Sequence, residues 1–507
     1  MSPLRRSLVV LQAVALAAAC TGPRDPAPPE QSHDPTRSVA FVAVTKSAGV
    51  DLGPIPSWGS TFVDVDVDGW PDLLVNRHKL DARLFSNVEG RFREASETYS
   101  SLNRPAPGRL IYDRHGCAWG EANADGTPDL YCGSGAQDAR GEGPNRLWIA
   151  TPSGLEDHAR RLGVDDPLGR ARSVHWLDYD SDGDLDLYVA NEIRTGVPNR
   201  LYRNTGSGFA LMESEAAAEI ATRSSSWSDW DVDGDPDLLV LGHGFVGSRA
   251  YENSDGAFDE ISLEQVTGRA WLSASWGELG SDPYPDLALV SERRLLVLRR
   301  TRHRTSVAND ERLRAGRVAR WLDVENDGDL DLFLVEGAVG DPPERGAVNH
   351  PDSLWLNASG DLVETSLPSL QGPRRGNGDS AAAADFNRDG RVDLFVTNGY
   401  LNAVGPSMLF ANRSAAGGWV AVTLVGDARN PYGIGARLRL TGGGSRQWRE
   451  VTDGVAFTSQ SEPNYVHFGL GDRDAAMIEI MWPEGSRDCL ALRTGDTPMV
   501  RQGTFPC

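Results

Sequence analysis

The sequence predicts an all-β protein: a seven-bladed β-propeller followed by a small C-terminal β-module. Three observations predict it: an acidic phrase that recurs seven times, a second phrase that keeps step with it, and a change of pattern after residue 415. The acidic phrase reads FVDVDVDGWPDLLV (62–75), WGEANADGTPDLYC (119–132), WLDYDSDGDLDLYV (176–189) and WSDWDVDGDPDLLV (227–240). It continues as WGELGSDPYPDLAL (276–289), WLDVENDGDLDLFL (321–334) and AADFNRDGRVDLFV (383–396). After most copies comes a short segment such as ARLFSN, NRLYRN, SRAYEN, DSLWLN or SMLFAN, and then a turn and a phrase like GRFREAS. Each unit therefore reads as four short strands with an acidic loop between the first two. Seven such units in series are the layout of a propeller, spanning 39–415. The opening segment FVAVTKSAGVDLG (41–53) resembles the end of a unit, so it is expected to add the missing strand to the last blade and close the ring.

Taken from the N-terminus, residues 1–20 form a signal peptide. Arg5 and Arg6 precede an apolar run, and small residues end at Cys20. Ala17-Ala18-Ala19-Cys20 resembles a bacterial lipoprotein box, which implies lipidation at Cys20 and a membrane anchor on an exported protein; ordinary secretory cleavage is the alternative. Residues 21–38 are polar and proline-rich, as a tether would be. Of the remaining cysteines, Cys117 and Cys132 flank one acidic loop and are expected to pair, which leaves Cys489 with Cys507. Four buried thiols are the alternative. With 50 Lys+Arg against 72 Asp+Glu and a formal charge of −22, nucleic acid is excluded as a partner.

Within the loops, oxygen-bearing residues occupy positions 1, 3, 5 and 9, usually with glycine at 6. They are Asp64, Asp66, Asp68 and Asp72 in the first, and Glu121, Asn123, Asp125 and Asp129 in the second. The third has Asp178, Asp180, Asp182 and Asp186; the fourth has Asp229, Asp231, Asp233 and Asp237, with Gly234 at the turn and the Asp235 carbonyl as a further donor. The sixth has Asp323, Glu325, Asp327 and Asp331, and the seventh Asp385, Asn387, Asp389 and Asp393. A cage of hard oxygens suits calcium, and no Cys or His competes for a softer metal. Position 12 falls inside a strand and is never Glu, which rules out an EF-hand. The fifth loop has Glu278, Gly280, Asp282 and Asp286 with Pro283 in the glycine position, so it is expected to be empty.

These loops resemble the FG-GAP or VCBS repeats of integrin α-chains. The phrases NPYGIGARLRL, REVTDG, SQSEPNYVHFGLG and WPEG after residue 415 closely resemble the ASPIC/UnbV domain. Together the two are similar to the cartilage acidic protein family. The resemblance implies an extracellular, calcium-stabilised propeller with a C-terminal β-domain (416–486) and a tail (487–507). It carries over no catalytic residues. The chain holds no H-E-x-x-H and no G-x-S-x-G, and His175, His243 and His467 read as packed or surface residues. The function expected is a surface or periplasmic binding module for a glycan, protein or small molecule. The alternative is a calcium-dependent tailoring, cyclising or carbohydrate-active enzyme with its site in the central channel, since UnbV-type genes resemble members of natural-product clusters.

Overall fold

The computed structural model describes residues 38–507 except 79, 104–112, 136–142, 193–195, 218–219, 243–245, 340–347, 366, 371–375, 401–402 and 454–463. Cys20, the expected leader, residues 21–37 of the expected tether, and His243 lie outside the described residues. So does the start of the SQSEPNYVHFGLG phrase.

Each acidic loop joins the first two strands of an antiparallel sheet. The first strands are Ser57–Val63, Arg114–Gly120, Ala171–Leu177, Thr222–Ser228, Ser273–Gly277, Gly316–Leu322 and Gly378–Ala384. Every second strand begins on the position-9 aspartate: Asp72, Asp129, Asp186, Asp237, Asp286, Asp331 and Asp393. Sheets one to six add two more strands in sequence order, giving six four-stranded meanders. The first strands touch their neighbours in order, and the seventh touches the first, so the series closes into the ring of a β-propeller. Phe41–Ala43 pairs with Met408–Asn412 and supplies the outer strand of sheet seven. Closing the ring through strands distant in sequence leaves no open edge between its two ends.

The strands are apolar on both faces because each sheet is covered on both sides by its neighbours. The first strands of sheets one, two, three, six and seven are buried along nearly their whole length. Tryptophans before the loops bridge adjacent sheets: Trp176 Nε1 donates to Ala118 O at 3.1 Å and Trp321 Nε1 to Ser275 O at 3.1 Å. A glycine is needed beneath each ring, since a Cβ on Gly120 would stand 2.4 Å from Trp176 Cγ. The Cys117–Cys132 disulfide joins the first two strands of sheet two.

Residues 418–501 form two further sheets packed on a core that includes Val420, Leu424, Leu438, Phe468, Ile478, Ile480 and Trp482. The tail expected after residue 486 is a correction. Arg487–Arg493 pairs with Ala475–Met481, Met499–Arg501 runs parallel to Gly418–Val425, and Leu492 and Val500 are buried in the core. Short strands rich in Arg and Asp carry too weak an apolar signal to announce this. The Cys489–Cys507 disulfide ties the C-terminus to that sheet. Among the described residues no helix is long and apolar enough to cross a membrane.

Candidate metal centres on the acidic face

All seven loops lie at the same end of the ring, because each follows a first strand running in the same sense. Six share one backbone conformation. Position 4 is left-handed in Val67, Ala124, Ser181, Val232, Asn326 and Arg388, with φ between 52° and 68°. Position 6 is a left-handed glycine, as at Gly234 with φ 110°. A β-branched residue such as Val232 adopts this region only under strain, so something in the loop compensates.

The side chains divide the work. The position-1 carboxylate accepts the N–H groups of positions 5 and 6, as Asp64 does from Asp68 at 3.0 Å and from Gly69 at 2.8 Å. The position-5 carboxylate accepts the N–H of position 7, as Asp182 does from Asp184 at 3.0 Å. The position-9 carboxylate reaches both ways: Asp237 accepts from Trp230 N at 3.1 Å and from Asn253 N, in the third strand, at 2.9 Å.

These bonds leave three carboxylates converging. Asp64, Asp66 and Asp72 each bring an oxygen within 4.8 Å of the others, as do Asp178, Asp180 and Asp186, and Asp229, Asp231 and Asp237. Positions 1, 3 and 9 thus meet in loops one, three and four, while Asp68, Asp182 and Asp233 stand outside the groups. In loops two and seven, position 3 is Asn123 or Asn387. Loop six places Asp323, Glu325 and Asp331 almost wholly out of solvent. Burial, with added repulsion from neighbouring carboxylates, pushes Asp72 up to about 7, Asp129 to about 8, and Asp186 and Asp237 to about 9. Asp180 Oδ1 and Asp393 Oδ2 are buried without a hydrogen-bond partner. An all-oxygen donor set with raised acidities and orphaned oxygens fits a hard cation.

Loop five is built otherwise. The Glu278 carboxylate accepts the N–H of Trp448 at 2.6 Å and lies 3.3 Å from Arg449 Nη1, both in the C-terminal domain. Nothing stands within 4 Å of where a Gly280 side chain would be.

That domain sits directly on the acidic face, a contact sequence reasoning missed. Asp453 accepts from Trp176 N at 2.7 Å and pairs with His175 Nδ1 at 3.0 Å. Glu450 accepts from Asp229 N at 3.0 Å, and Arg437 lies 3.2 Å from Asp229 Oδ2 while also donating to Pro283 O. Gly417 N and Gly471 N donate to Glu325 O and Asn326 O of loop six, and His467 Nε2 lies 3.1 Å from Gly390 O of loop seven. Arg437, Arg449, Glu450 and Asp453 come from the GIGARLRL and REVTDG phrases, so the signal was present and its target was not. A cavity of about 230 Å³ remains between ring and domain, lined by Trp276, Trp321, Trp448, Arg437, Arg449 and His467, among others.

A second missed set is the asparagine at or next to the end of most third strands. Asn253 Nδ2 donates to Pro236 O of its own loop and to Tyr179 O of the preceding one; Asn87, Asn204 and Asn412 repeat this. The recurring final Asn of NRLYRN and its relatives was the visible sign.

Ring, acidic hairpins and cap define the class. Residues 178–240 and 316–396 match the FG-GAP-like repeat family and residues 426–500 match the ASPIC and UnbV family, so this is a β-propeller of FG-GAP-like repeats carrying an ASPIC/UnbV domain. Within that class the chain is homologous to Cartilage acidic protein 1. It is 25% identical to the Homo sapiens protein over 195 residues, covering 38% of this chain, and 27% identical to the Mus musculus protein over 189 residues, covering 36%. Each match spans only 28% of the relative's length. The solved structure "YCF48 bound to D1 peptide" aligns over 75% of this chain and 97% of its own at 10% identity, with a TM-score of 0.42.

Proposed function

We propose that this protein is an exported, calcium-stabilised binding module. Its acidic loops hold calcium, and its ligand, a glycan, peptide or small molecule, enters the cavity between ring and cap. The observation that carries the reading is the convergence of three carboxylates in each of loops one, three and four. FG-GAP repeats commonly bind calcium, and position-1, -3 and -9 oxygens together with main-chain carbonyls supply its hard donors. The ion offsets charge and fixes the strained hairpins; it has no chemical step to perform. Three tryptophans with two guanidinium groups around the cavity suit a ligand with flat apolar faces and polar edges. The two disulfides accord with an oxidising compartment, and an anchor through Cys20 would hold the module at a membrane.

The enzyme alternative draws no support from the ionisable groups around the cavity. Glu278 is engaged by Arg449, Asp323 by the N–H groups of Asp327 and Gly328, and His467 by Gly390 O. Calorimetric titration of metal-free protein tests the reading. Calcium is expected to bind at several sites and magnesium far more weakly. Equal affinity for the two ions, or no binding, would refute it.

A further inference from the structure

At the opposite end of the inner strands from the acidic loops, sheets one and two bring together three buried side chains that the function above does not use. His78 follows the second strand of sheet one, Asp113 precedes the first strand of sheet two, and His115 lies within that strand. We propose that these three residues form a binding site for a divalent transition-metal ion of the zinc type, chemically distinct from the acidic loops.

The geometry carries the proposal. His78 Nε2 stands 3.0 Å from Asp113 Oδ1, and His115 Nε2 stands 3.4 Å from the same oxygen. The three donor atoms all lie within 4.8 Å of one another. Around a tetrahedral ion with bonds of about 2.0–2.2 Å, donors are spaced about 3.3–3.6 Å apart, so one ion can bridge this set with small adjustments. Two imidazoles and a carboxylate are the ligands of zinc and its neighbours, whereas calcium prefers oxygen alone. Such a site needs a fourth donor, which water can supply.

The surroundings are those of a supported site. His115 Nδ1 lies 2.9 Å from Ala171 O, a contact that fixes the ring with Nε2 toward Asp113. Arg172 Nη1 also approaches Nδ1, at 3.0 Å, while its Nη2 pairs with Glu192. Trp58 packs against both imidazoles, 5.0 Å between ring centroids in each case, and sets their planes. Gly135 leaves the room: a Cβ there would stand 2.5 Å from His115 Nε2 and 2.6 Å from Asp113 Oδ2.

The test uses the full chain without a polyhistidine tag, stripped by chelator and returned to saturating calcium. Titration with cobalt(II) is expected to give one equivalent with visible ligand-field bands, displaced by zinc(II). His78→Gln and Asp113→Asn should each weaken that binding by more than the roughly tenfold to hundredfold that changes around ligands cost, and leave calcium-dependent melting in place. A wild-type protein that takes up no cobalt with calcium saturating overturns the proposal. So does an equivalent that survives unchanged in both variants, since that ion would be bound elsewhere.

Discussion

Loops four and five are consecutive hairpins of one ring, and they handle the same excess of carboxylates differently. In loop four, Asp229, Asp231 and Asp237 converge over a backbone held left-handed at Val232 and Gly234. In loop five, proline stands where that glycine belongs, and its ring fixes φ near −65°, so the turn that gathers the oxygens cannot form. Glu278 instead faces outward to Trp448 N and Arg449. A hairpin of this kind therefore draws its counter-charge from either of two sources: an ion inside the loop, or a guanidinium from the domain above it. Arg437, lying between Asp229 and Pro283 O, touches both hairpins and marks the seam.

The largest effect expected from this contrast is on the whole ring. Ions that bind only the folded state stabilise it in proportion to their excess over Kd, by about 2.7 kcal/mol for each site held at a hundredfold excess. Removing calcium from several loops should lower the melting temperature by on the order of 10 °C. Calorimetric scans with and without chelator at low ionic strength measure it. Coincident scans would leave loop four no better supplied with counter-ions than loop five.

Next is the guanidinium. Arg449→Ala strands the buried Glu278 carboxylate, which should cost about 3–5 kcal/mol. Denaturant midpoints measure this loss. Adding Glu278→Gln to that variant should recover much of it, because the orphaned charge goes with it. If the double variant is no more stable than the single one, the Arg449 contribution is packing alone.

How much of this was legible in sequence follows from what each feature depends on. Period-two patterning and acidic turns repeat along the chain, so the units, the loops and the closing strand at Phe41–Ala43 could be read directly. The oddity of loop five could be read too, because Gly280 and Pro283 are local facts. Docking of the cap was not legible: Arg449 and Glu278 are 171 residues apart, and neither carries a mark of the other. The same holds for His78, Asp113 and His115, whose meeting depends on how sheets one and two pack. The role of the asparagines lay between these cases, for their recurrence was visible and their partners in the preceding loop were not.

Those asparagines give a smaller effect. Asn253→Ala removes two donated bonds, to Pro236 O and Tyr179 O, and leaves buried carbonyls unpaired, at a cost of about 1–3 kcal/mol. Sheet two already has Ala150 at the equivalent position, where only the main-chain N–H reaches Asp129. Ala150→Gly should therefore cost less than Asn253→Ala in urea titrations. Equal losses would mean that the side-chain amide is not what links the loops.

The smallest effect is the dependence on pH, and it separates the two kinds of loop most finely. In metal-free protein, Asp72 and Asp178 are pushed up to about 7, and Asp186 and Asp237 to about 9, from a starting value of 3.8. A carboxyl whose folded value is raised holds its proton more tightly when folded. Its contribution is complete at low pH and is lost as pH climbs through the folded value. Metal-free protein should therefore melt a few degrees lower at pH 9 than at pH 5. Saturating calcium should abolish or reverse that slope, because the ion binds the deprotonated form. Loop five differs at position 9, where Asp286 is raised only to about 6, although burial pushes its Glu278 up as well. Asp237→Asn should flatten the slope between pH 7 and 9, whereas Asp286→Asn should leave that interval unchanged. A melting temperature that rises with pH in the absence of metal would show that the loop carboxylates are not carrying the charge that calcium is proposed to offset.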